Sequence, residues 1–496
     1  MLQDEYVDIE VPAGCARGLR VDDVLVFKGL PYALAPIAER RFQPPVPMAR
    51  WAGRFDATRE PFIAPQPQSR VSKVTGENSG PQSEDCPNLT IYTPAADGQR
   101  RPVLVWLHGG AHTTGGGSLA WHAGHVLARA GDLVVVCPNF RLGALGFLYL
   151  PGISEGNLGL LDQVAALEWI RENIHALGGD PGNITIAGQS SGASCVAHLT
   201  AMPQAAGLFR RAIIQSAPLG RPERPPEEAA EQGEQFRKHL MGGGEGGDLR
   251  SVPVDALLRA QAAYAQALPP APLGATNLPF MPVVDGRAVP SLGAVAHGAG
   301  CDLIIGFTRE EMATFHAGDE RLAHLTRDDA LGSMRHFTDH AERVYRHYGR
   351  YRASTSPRAI LADMLTARIF GIPSLELARR YADAGHSVYA YRFDWQSPAG
   401  FGACHCLDIP FVFNNLDVWA RSPMLLGVDR EAFRGLAAKV QGAWAAFARH
   451  GDPNQSGDMP EWPAYSAAMP SVMRLASMVE AGPLPCLAPG DAFNRA

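Results

Sequence analysis

Residues 183–193 read NITIAGQSSGA, and this stretch decides the fold. Its first five residues form a short run with β-branched side chains that predicts a buried strand. Gly188, Ser190 and Gly192 then supply the motif G-x-S-x-G, and residues 193–199 have the pattern of a helix start. Strand, sharp turn and helix form the context in which this motif holds a nucleophilic serine. Glycine and serine are also common in ordinary turns, so it is the context that makes Ser190 a candidate nucleophile.

The composition is that of a globular protein with 496 residues, of which 46% are hydrophobic and 19% are charged. A formal net charge of −6 indicates no basic surface, so nucleic acid is not an expected partner. The N-terminal residues, MLQDEYVDIEVPAG, are acidic and lack the apolar region of a signal peptide. No apolar run is long enough to predict a membrane span. The eight scattered cysteines favour reduced thiols and a cytoplasmic protein.

The order of apolar runs predicts strands that alternate with helices. Strands are expected at 24–27, 90–92, 102–107, 133–137, 183–187, 212–214, 302–307 and 387–394, with a final edge strand at 472–475. Helices are expected at 158–177 and 430–450. This alternation predicts an α/β fold with a mostly parallel central sheet and helices on both faces. We expect one domain over residues 1–496, with helical insertions at about 218–300 and 318–385 that form the roof of the pocket.

A nucleophilic serine needs a histidine base and an acid that orients it. His405 is the best candidate base, because it lies in a loop just after the predicted strand at 387–394. His450 ends a predicted helix, where a capping role is the better interpretation. Glu310 and Glu311 follow the strand at 302–307, and since adjacent side chains point differently, at most one should face the histidine. Asp285 is a weaker candidate, because Asp-Gly there indicates a turn.

The sequence Cys404-His405-Cys406 raises the question of a metal site. Zinc sites usually have two to four residues between paired cysteines, together with a second ligand pair, whereas only one residue separates Cys404 from Cys406. We therefore predict neither a metal nor a cofactor.

Many ordered segments of the chain resemble the type-B carboxylesterases, the family that includes cholinesterases and bacterial p-nitrobenzyl esterases. The resemblance covers nearly the whole chain. The matching segments are FKGLPYA (27–33), RFQPP (41–45), SEDC (83–86), VLVWLHGGA (103–111), NFRLGALGFL (139–148), GNLGLLDQ (156–163), ALGGDPGNITIAGQSSGA (176–193), PVVDG (282–286), GFTREEM (306–312), HCLDIPFVF (405–413) and FARHGDPN (447–454).

This resemblance implies an α/β-hydrolase fold and assigns a role to each candidate residue. It implies Ser190 as nucleophile, Glu311 as acid and His405 as base. It also implies that three backbone N–H groups form the oxyanion hole, those of Gly110, Ala111 and Ser191. Gly109 would allow the close approach of this loop, and Ser216 would lie near the catalytic centre. The family pattern further suggests two structural ion pairs, Arg41 with Glu84 and Arg141 with Asp162.

Several departures from the family pattern bear on stability and on substrate choice. The family often links the cysteine of SEDC to one about twenty residues earlier, but here that position is Ala64, so Cys86 is expected to be free. Gln189 and Ser191 flank the nucleophile where Glu and Ala are common, and His112 replaces a usual aromatic residue. Residues 64–85 contain no Trp, Tyr or Phe, so a choline ester, which is held by cation–π contact, is not expected as the substrate.

The sequence therefore predicts a serine carboxylesterase that acts on small-molecule esters through an acyl enzyme. Two alternatives stay open. The same machinery could hydrolyse carbamates or amides or carry out biosynthetic acyl transfer or cyclisation. The second alternative is a non-catalytic, cholinesterase-like binding protein. This interpretation is less favoured, because the candidate serine, acid and histidine are all present.

Overall fold

The computed structural model describes residues 5–242, 247–293, 300–351, 356–484 and 487. Within these residues the chain forms fifteen strands: β1 Glu5–Val11, β2 Gly14–Val21, β3 Val24–Pro31, β4 Arg54–Asp56, β5 Asn88–Thr93, β6 Arg101–Leu107, β7 Val134–Pro138, β8 Tyr149–Leu150, β9 Ser154–Glu155, β10 Gly179–Gln189, β11 Arg211–Gln215, β12 Asp302–Thr308, β13 Val388–Phe393, β14 Val472–Leu475 and β15 Glu480–Gly482.

The same residues form fourteen α-helices, the longest being the last. They are α1 Ser72–Thr75, α2 His125–Gly131, α3 Gly143–Phe147, α4 Leu158–Asn173, α5 Ser191–Ala201, α6 Pro226–Leu240, α7 Val254–Ala267, α8 Met312–His316, α9 Arg327–Met334, α10 Ala341–Gly349, α11 Pro357–Thr366, α12 Ile372–Asp383, α13 Ile409–Phe413 and α14 Arg430–His450. None of the described helices is both long and apolar enough to cross a bilayer.

One large sheet organises the described chain. Its strand order is β1-β2-β3-β5-β7-β6-β10-β11-β12-β13-β14-β15, and β4 pairs with β2. Neighbouring strands are parallel from β7 to β14, whereas the pairs at both ends of this order are antiparallel. The predicted α/β architecture with a mostly parallel central sheet is therefore confirmed.

The central strands are buried on both faces, as expected where helices cover a parallel sheet. In β6, Val103 and Val105 belong to one core cluster, and Leu104 and Trp106 belong to the cluster on the opposite face. Helices α4 and α5 contribute apolar side chains to the first cluster, and α2 and α14 contribute to the second. Alternating side chains of one strand thus anchor two helical layers.

The predicted strand at 472–475 is present as β14, but its predicted position at the edge is wrong. β14 pairs with β13 on one side and antiparallel with β15 on the other, so β15 is the outermost described strand there. The sequence of β15, Glu-Ala-Gly, has no apolar run, and only its pairing with β14 makes it a strand.

Both predicted insertions contain helices among their described residues. Helices α6 and α7 lie in the first, and α9 to α12 lie in the second. Residues 243–246, 294–299 and 352–355 of these insertions fall outside the described chain. Helix α8, just before the second insertion, and helices α9 to α11 within it share a separate apolar cluster that includes Leu331, Val344 and Leu361.

Candidate active site

The turn between β10 and α5 holds Ser190 in strained backbone. Its φ of 60° and ψ of −127° are unusual for a residue other than glycine, and its N–H donates to Gln215 O at 2.9 Å. A Cβ on Gly188 would lie 2.7 Å from the Gly192 carbonyl carbon, and one on Gly192 would lie 2.1 Å from Leu107 O. Glycine at both positions is therefore required for strand and helix to approach each other.

The loop between β13 and α13 brings His405 to the serine. His405 Nε2 lies 2.8 Å from Ser190 Oγ, and the imidazole is only 2% exposed. Thr314 Oγ1 donates to His405 O at 3.0 Å, which fixes the backbone. The rings of Phe315 and Phe370 pack on the imidazole, with centroid distances of 5.0 and 5.4 Å. The histidine is thus buried and lies within hydrogen-bond distance of the hydroxyl.

Glu311, directly after the loop end of β12, is the carboxylate that reaches the histidine. Its Oε2 is hydrogen-bonded to His405 Nδ1, and its Oε1 accepts the N–H of Thr308 at 2.7 Å. The side chain is fully buried. The three residues selected from the sequence, Ser190, His405 and Glu311, therefore lie in one hydrogen-bonded line.

Glu310 faces away from this line and has a different environment. It is half-buried beside the loop that leads to His405. Its Oε2 accepts the N–H of Ala403 at 2.8 Å and the Gln396 side chain at 3.2 Å. Glu310 thus tethers the loop that leads to His405 without contacting the imidazole in any hydrogen bond that the structure records.

The charge state of His405 is set by opposing effects. Burial lowers its pKa, but the neighbouring Cys406 sulfur and the Glu311 carboxylate outweigh burial, and they raise the pKa of His405 well above its ordinary value. The imidazolium is therefore stabilised at this position, which favours proton uptake from a neighbouring hydroxyl.

The loop after β6 lies against the serine with two N–H groups unused. Gly110 has a φ of 123° and Ala111 a φ of 58°, and neither N–H donates to an acceptor within the described residues. A Cβ on Gly109 would lie 2.7 Å from Gln189 O and 3.0 Å from Ser190 Cβ, so the loop approaches closely only with glycine there. Ser191 is the first residue of α5, and its N–H has no partner inside the helix.

Ser216 follows β11 and is fully buried in left-handed backbone, with a φ of 55°. It comes directly after Gln215, whose carbonyl holds the Ser190 N–H. Its Oγ has no hydrogen-bond partner in the described part of the chain. The structure therefore places Ser216 next to Gln215, the residue that supports the turn at Ser190.

Asp408 is a buried carboxyl group that the sequence analysis did not select. Its Oδ2 accepts hydrogen bonds from Gln215 Nε2 at 2.7 Å and from Tyr391 OH at 3.3 Å, and no partner of Oδ1 is found among the described residues. Burial raises the pKa of Asp408 to about 6, despite the bond from Gln215, and the Glu311 charge adds to this. The sequence offered one signal for Asp408, namely a carboxylate three residues after the candidate base His405.

A cavity of about 760 Å³ opens above Ser190 and His405. Its walls include residues 67–71, which belong to the polar loop at 64–85. Residues of both helical insertions also line it, among them Leu278 and Phe370. His112 also lines it, packed on Phe147 with its ring centroid 4.9 Å away, and burial lowers the pKa of His112 to about 3. The part of the polar loop that lines the cavity, PQSRV, supplies no aromatic ring.

The remaining candidates lie away from this line. His450 is exposed at the end of α14, and Asp285 is exposed and accepts backbone N–H groups in a turn, as predicted. Cys404 Sγ lies 3.9 Å from Met424 Sδ, whereas Cys406 Sγ lies 3.5 Å from Gln189 Oε1, so the two sulfurs have different partners. No group of three or more potential metal ligands occurs within the described ranges.

The predicted ion pairs and the free thiol are confirmed. Arg41 Nη2 lies 2.6 Å from Glu84 Oε2, and Arg141 Nη2 lies 2.6 Å from Asp162 Oδ1 with both side chains buried. Cys86 is buried and free. Cys486 lies outside the described residues.

Comparisons with known proteins agree with this geometry. The model of the carboxylesterase family matches residues 3–482. Phenmedipham hydrolase of Pseudarthrobacter oxydans is 37% identical, with 93% of each chain covered, and para-nitrobenzyl esterase of Bacillus subtilis is 36% identical, with 91% of each covered. The crystal structure of the Geobacillus stearothermophilus carboxylesterase EST55 has a TM-score of 0.83 at 37% identity, and covers 96% of this chain and 97% of its own. The chain belongs to the carboxylesterase family, and it is a carboxylic ester hydrolase with an α/β-hydrolase fold.

Proposed function

We propose that the enzyme hydrolyses small-molecule esters through a covalent acyl enzyme on Ser190. The observation that carries this proposal is the hydrogen-bonded line from Ser190 Oγ through His405 to Glu311. A buried carboxylate at Nδ1 leaves Nε2 free to accept the serine proton. The hydroxyl oxygen then attacks the ester carbonyl, and the imidazolium returns the proton to the departing alcohol.

The negative charge that develops on the carbonyl oxygen needs donors already in place. We assign this role to the backbone N–H groups of Gly110, Ala111 and Ser191, which are free for it. Each such donor contributes roughly 3–4 kcal/mol to stabilisation of the transition state. Water then attacks the acyl enzyme with His405 as base, and no cofactor is needed for either half-reaction.

We propose uncharged or anionic esters, rather than quaternary ammonium esters, as substrates. The wall that residues 67–71 form carries no aromatic ring to bind a cation, and it includes the guanidinium of Arg70. We also propose a cytoplasmic location, because the cysteines of the described chain are all free.

A series of p-nitrophenyl esters of increasing acyl length tests the reaction and the pocket together. We expect saturable hydrolysis that is best for short or medium chains and is abolished by Ser190→Ala. Ser191→Ala is the matched variant, because it removes a hydroxyl but keeps the backbone N–H, and it should cost far less. Preferential hydrolysis of a choline ester over its uncharged isostere would contradict the proposed substrate class. Loss of activity in Ser191→Ala but not in Ser190→Ala would contradict the mechanism.

A further inference from the structure

Arg221 is an arginine in the wall of the cavity that holds Ser190. It lies five residues after Ser216, and the N–H of Arg221 donates to Pro218 O at 3.2 Å. Its guanidinium donates from Nη1 to Thr276 O at 2.8 Å and from Nη2 to Thr276 Oγ1 at 2.7 Å. The side chain is therefore held in one orientation by two bonds to a neighbouring loop.

This guanidinium has no anionic partner in the described part of the chain. No ion pair of Arg221 occurs there, and its Nε is buried without a hydrogen-bond acceptor. Burial alone lowers the pKa of Arg221 to about 10, and no carboxylate opposes that effect. A desolvated charge without an anionic partner is costly, so an arginine kept in such a place is suited to an anion that enters the cavity.

The other charged side chains of the wall do not neutralise Arg221. Arg224 lies 3.7 Å from Glu228 and also donates to two backbone carbonyls, whereas Glu223 accepts the N–H of Leu292. Counting every charged lining residue gives four cations and two anions, namely Arg70, Arg221, Arg224, Arg380, Glu223 and Glu376. The cavity thus has an excess of positive charge, although the whole chain has a net charge of −6.

The position of this charge relative to the reacting centre follows from His112. The charges of Arg221 and Arg224 contribute to the lowered pKa of His112, after the larger effects of burial and of two other histidines. His112 directly follows Ala111, whose N–H we assign to the oxyanion hole. Arg221, His112 and Ser190 line the same cavity, so an anion bound at Arg221 lies in the cavity that holds the attacked carbonyl.

We propose that Arg221 binds a carboxylate carried by the substrate, so that the preferred substrates are esters with a second, ionised acid group. This inference rests on the proposed function, since it concerns the same cavity. The two guanidinium N–H groups that Thr276 leaves unused on Nη1 and Nη2 supply charge-assisted hydrogen bonds, which are stronger than those between neutral groups. The carboxylate belongs to the acyl part or to the leaving group.

The experiment compares each anionic ester with an uncharged amide of the same shape. The acyl pair is mono-p-nitrophenyl suberate and p-nitrophenyl suberamate, and the leaving-group pair is p-butanoyloxybenzoate and p-butanoyloxybenzamide. For wild type we expect kcat/KM at least about tenfold higher for the anionic member of one pair. That pair identifies the part of the ester that carries the charge.

Variants then assign the preference to Arg221. Arg221→Gln should lower the preference to near one, and Arg221→Lys should retain part of it. Arg210→Gln removes an exposed arginine that does not line the cavity, and it should keep the full preference. Competitive inhibition of p-nitrophenyl butyrate hydrolysis by suberate, but not by suberamide, gives a second measurement on wild type that does not depend on a variant folding.

Two results would overturn the inference while the proposed function stands. One is equal kcat/KM for both members of both pairs, together with equal inhibition by suberate and suberamide. The other is an anionic preference that Arg221→Gln leaves intact. If the folded wild-type enzyme hydrolyses none of these esters and no p-nitrophenyl butyrate, the proposed function itself fails, and the inference fails with it.

Discussion

Replacing Glu311 by glutamine distinguishes the proposed acid of the active site from its neighbour Glu310. Glu311 Oε1 accepts the Thr308 N–H, while Oε2 faces His405 Nδ1. In Glu311→Gln the Thr308 N–H still needs an acceptor, so the amide oxygen faces Thr308 and the amide NH₂ faces His405 Nδ1. The imidazole then carries its proton on Nε2, where it can no longer accept the proton of Ser190.

Rotation of the amide does not rescue the variant. It would return an oxygen to Nδ1, but the NH₂ would then face the Thr308 N–H, and two buried donors would be left without acceptors at a cost of roughly 1–3 kcal/mol each. A comparable Asp→Asn change in serine proteases lowers turnover about 10⁴-fold. We expect a loss of the same order here, with the fold unchanged.

Glu310→Gln is the matched control, because it makes the same chemical change one residue earlier. Its amide oxygen can still accept the Ala403 N–H, so we expect less than about a tenfold loss. The assay is turnover of a p-nitrophenyl ester by both variants, with circular dichroism to confirm folding. An inactive Glu310→Gln beside an active Glu311→Gln would refute the assignment, and two active variants would mean that the acid lies elsewhere.

Three further predictions follow from titration and redox state. Burial lowers the pKa of His405, but Cys406 and Glu311 together raise it above its ordinary value, and only neutral His405 can act as base. We therefore expect kcat/KM to rise with pH through a pKa above 6.5, and Glu311→Gln to move any residual rise to lower pH. A wild-type rise centred below pH 6.5 would contradict this. Burial raises the pKa of Asp408 from 3.8 to about 6. Its ionisation therefore lowers the free energy of unfolding progressively as the pH rises above 3.8, and the loss reaches about 3 kcal/mol above pH 6. Asp408→Asn should therefore raise Tm at pH 8, and by less at pH 5; equal gains at both would refute the role of charge. Since Cys86 is free, dithiothreitol should change neither Tm nor activity, whereas a disulfide worth roughly 2–4 kcal/mol would show as a drop of several degrees.

The parts of the fold that were predictable are those with strong local signals. The strands β6, β7 and β10 were predicted because their apolar runs are buried on both faces and are bounded by glycine, proline or polar residues. Ser190 was predictable because glycine spacing marks the turn directly. His405 was the best candidate base from its place after a predicted strand, whereas Glu311 depended on the resemblance, since the sequence alone left Glu310 and Asp285 open.

The features that the sequence missed depend on distant contacts. β15 is a strand only because β14 lies beside it. Glu310 is tethered by Ala403, 93 residues away, and Asp408 contacts Gln215, 193 residues away. Nothing in the sequence distinguishes Arg221 from a surface arginine, because its place in the cavity wall depends on the tertiary structure. That residues 1–496 form one domain stays a prediction.

The central claim is that Ser190 becomes acylated, and a covalent probe tests it most directly. A fluorophosphonate should add once per chain and abolish ester hydrolysis, and peptide mapping by mass spectrometry should place the adduct on Ser190. Ser191 is the natural competitor, because it is the adjacent hydroxyl, although we assign it only a backbone N–H. An adduct on Ser191, or full activity after stoichiometric labelling of Ser190, would contradict the account.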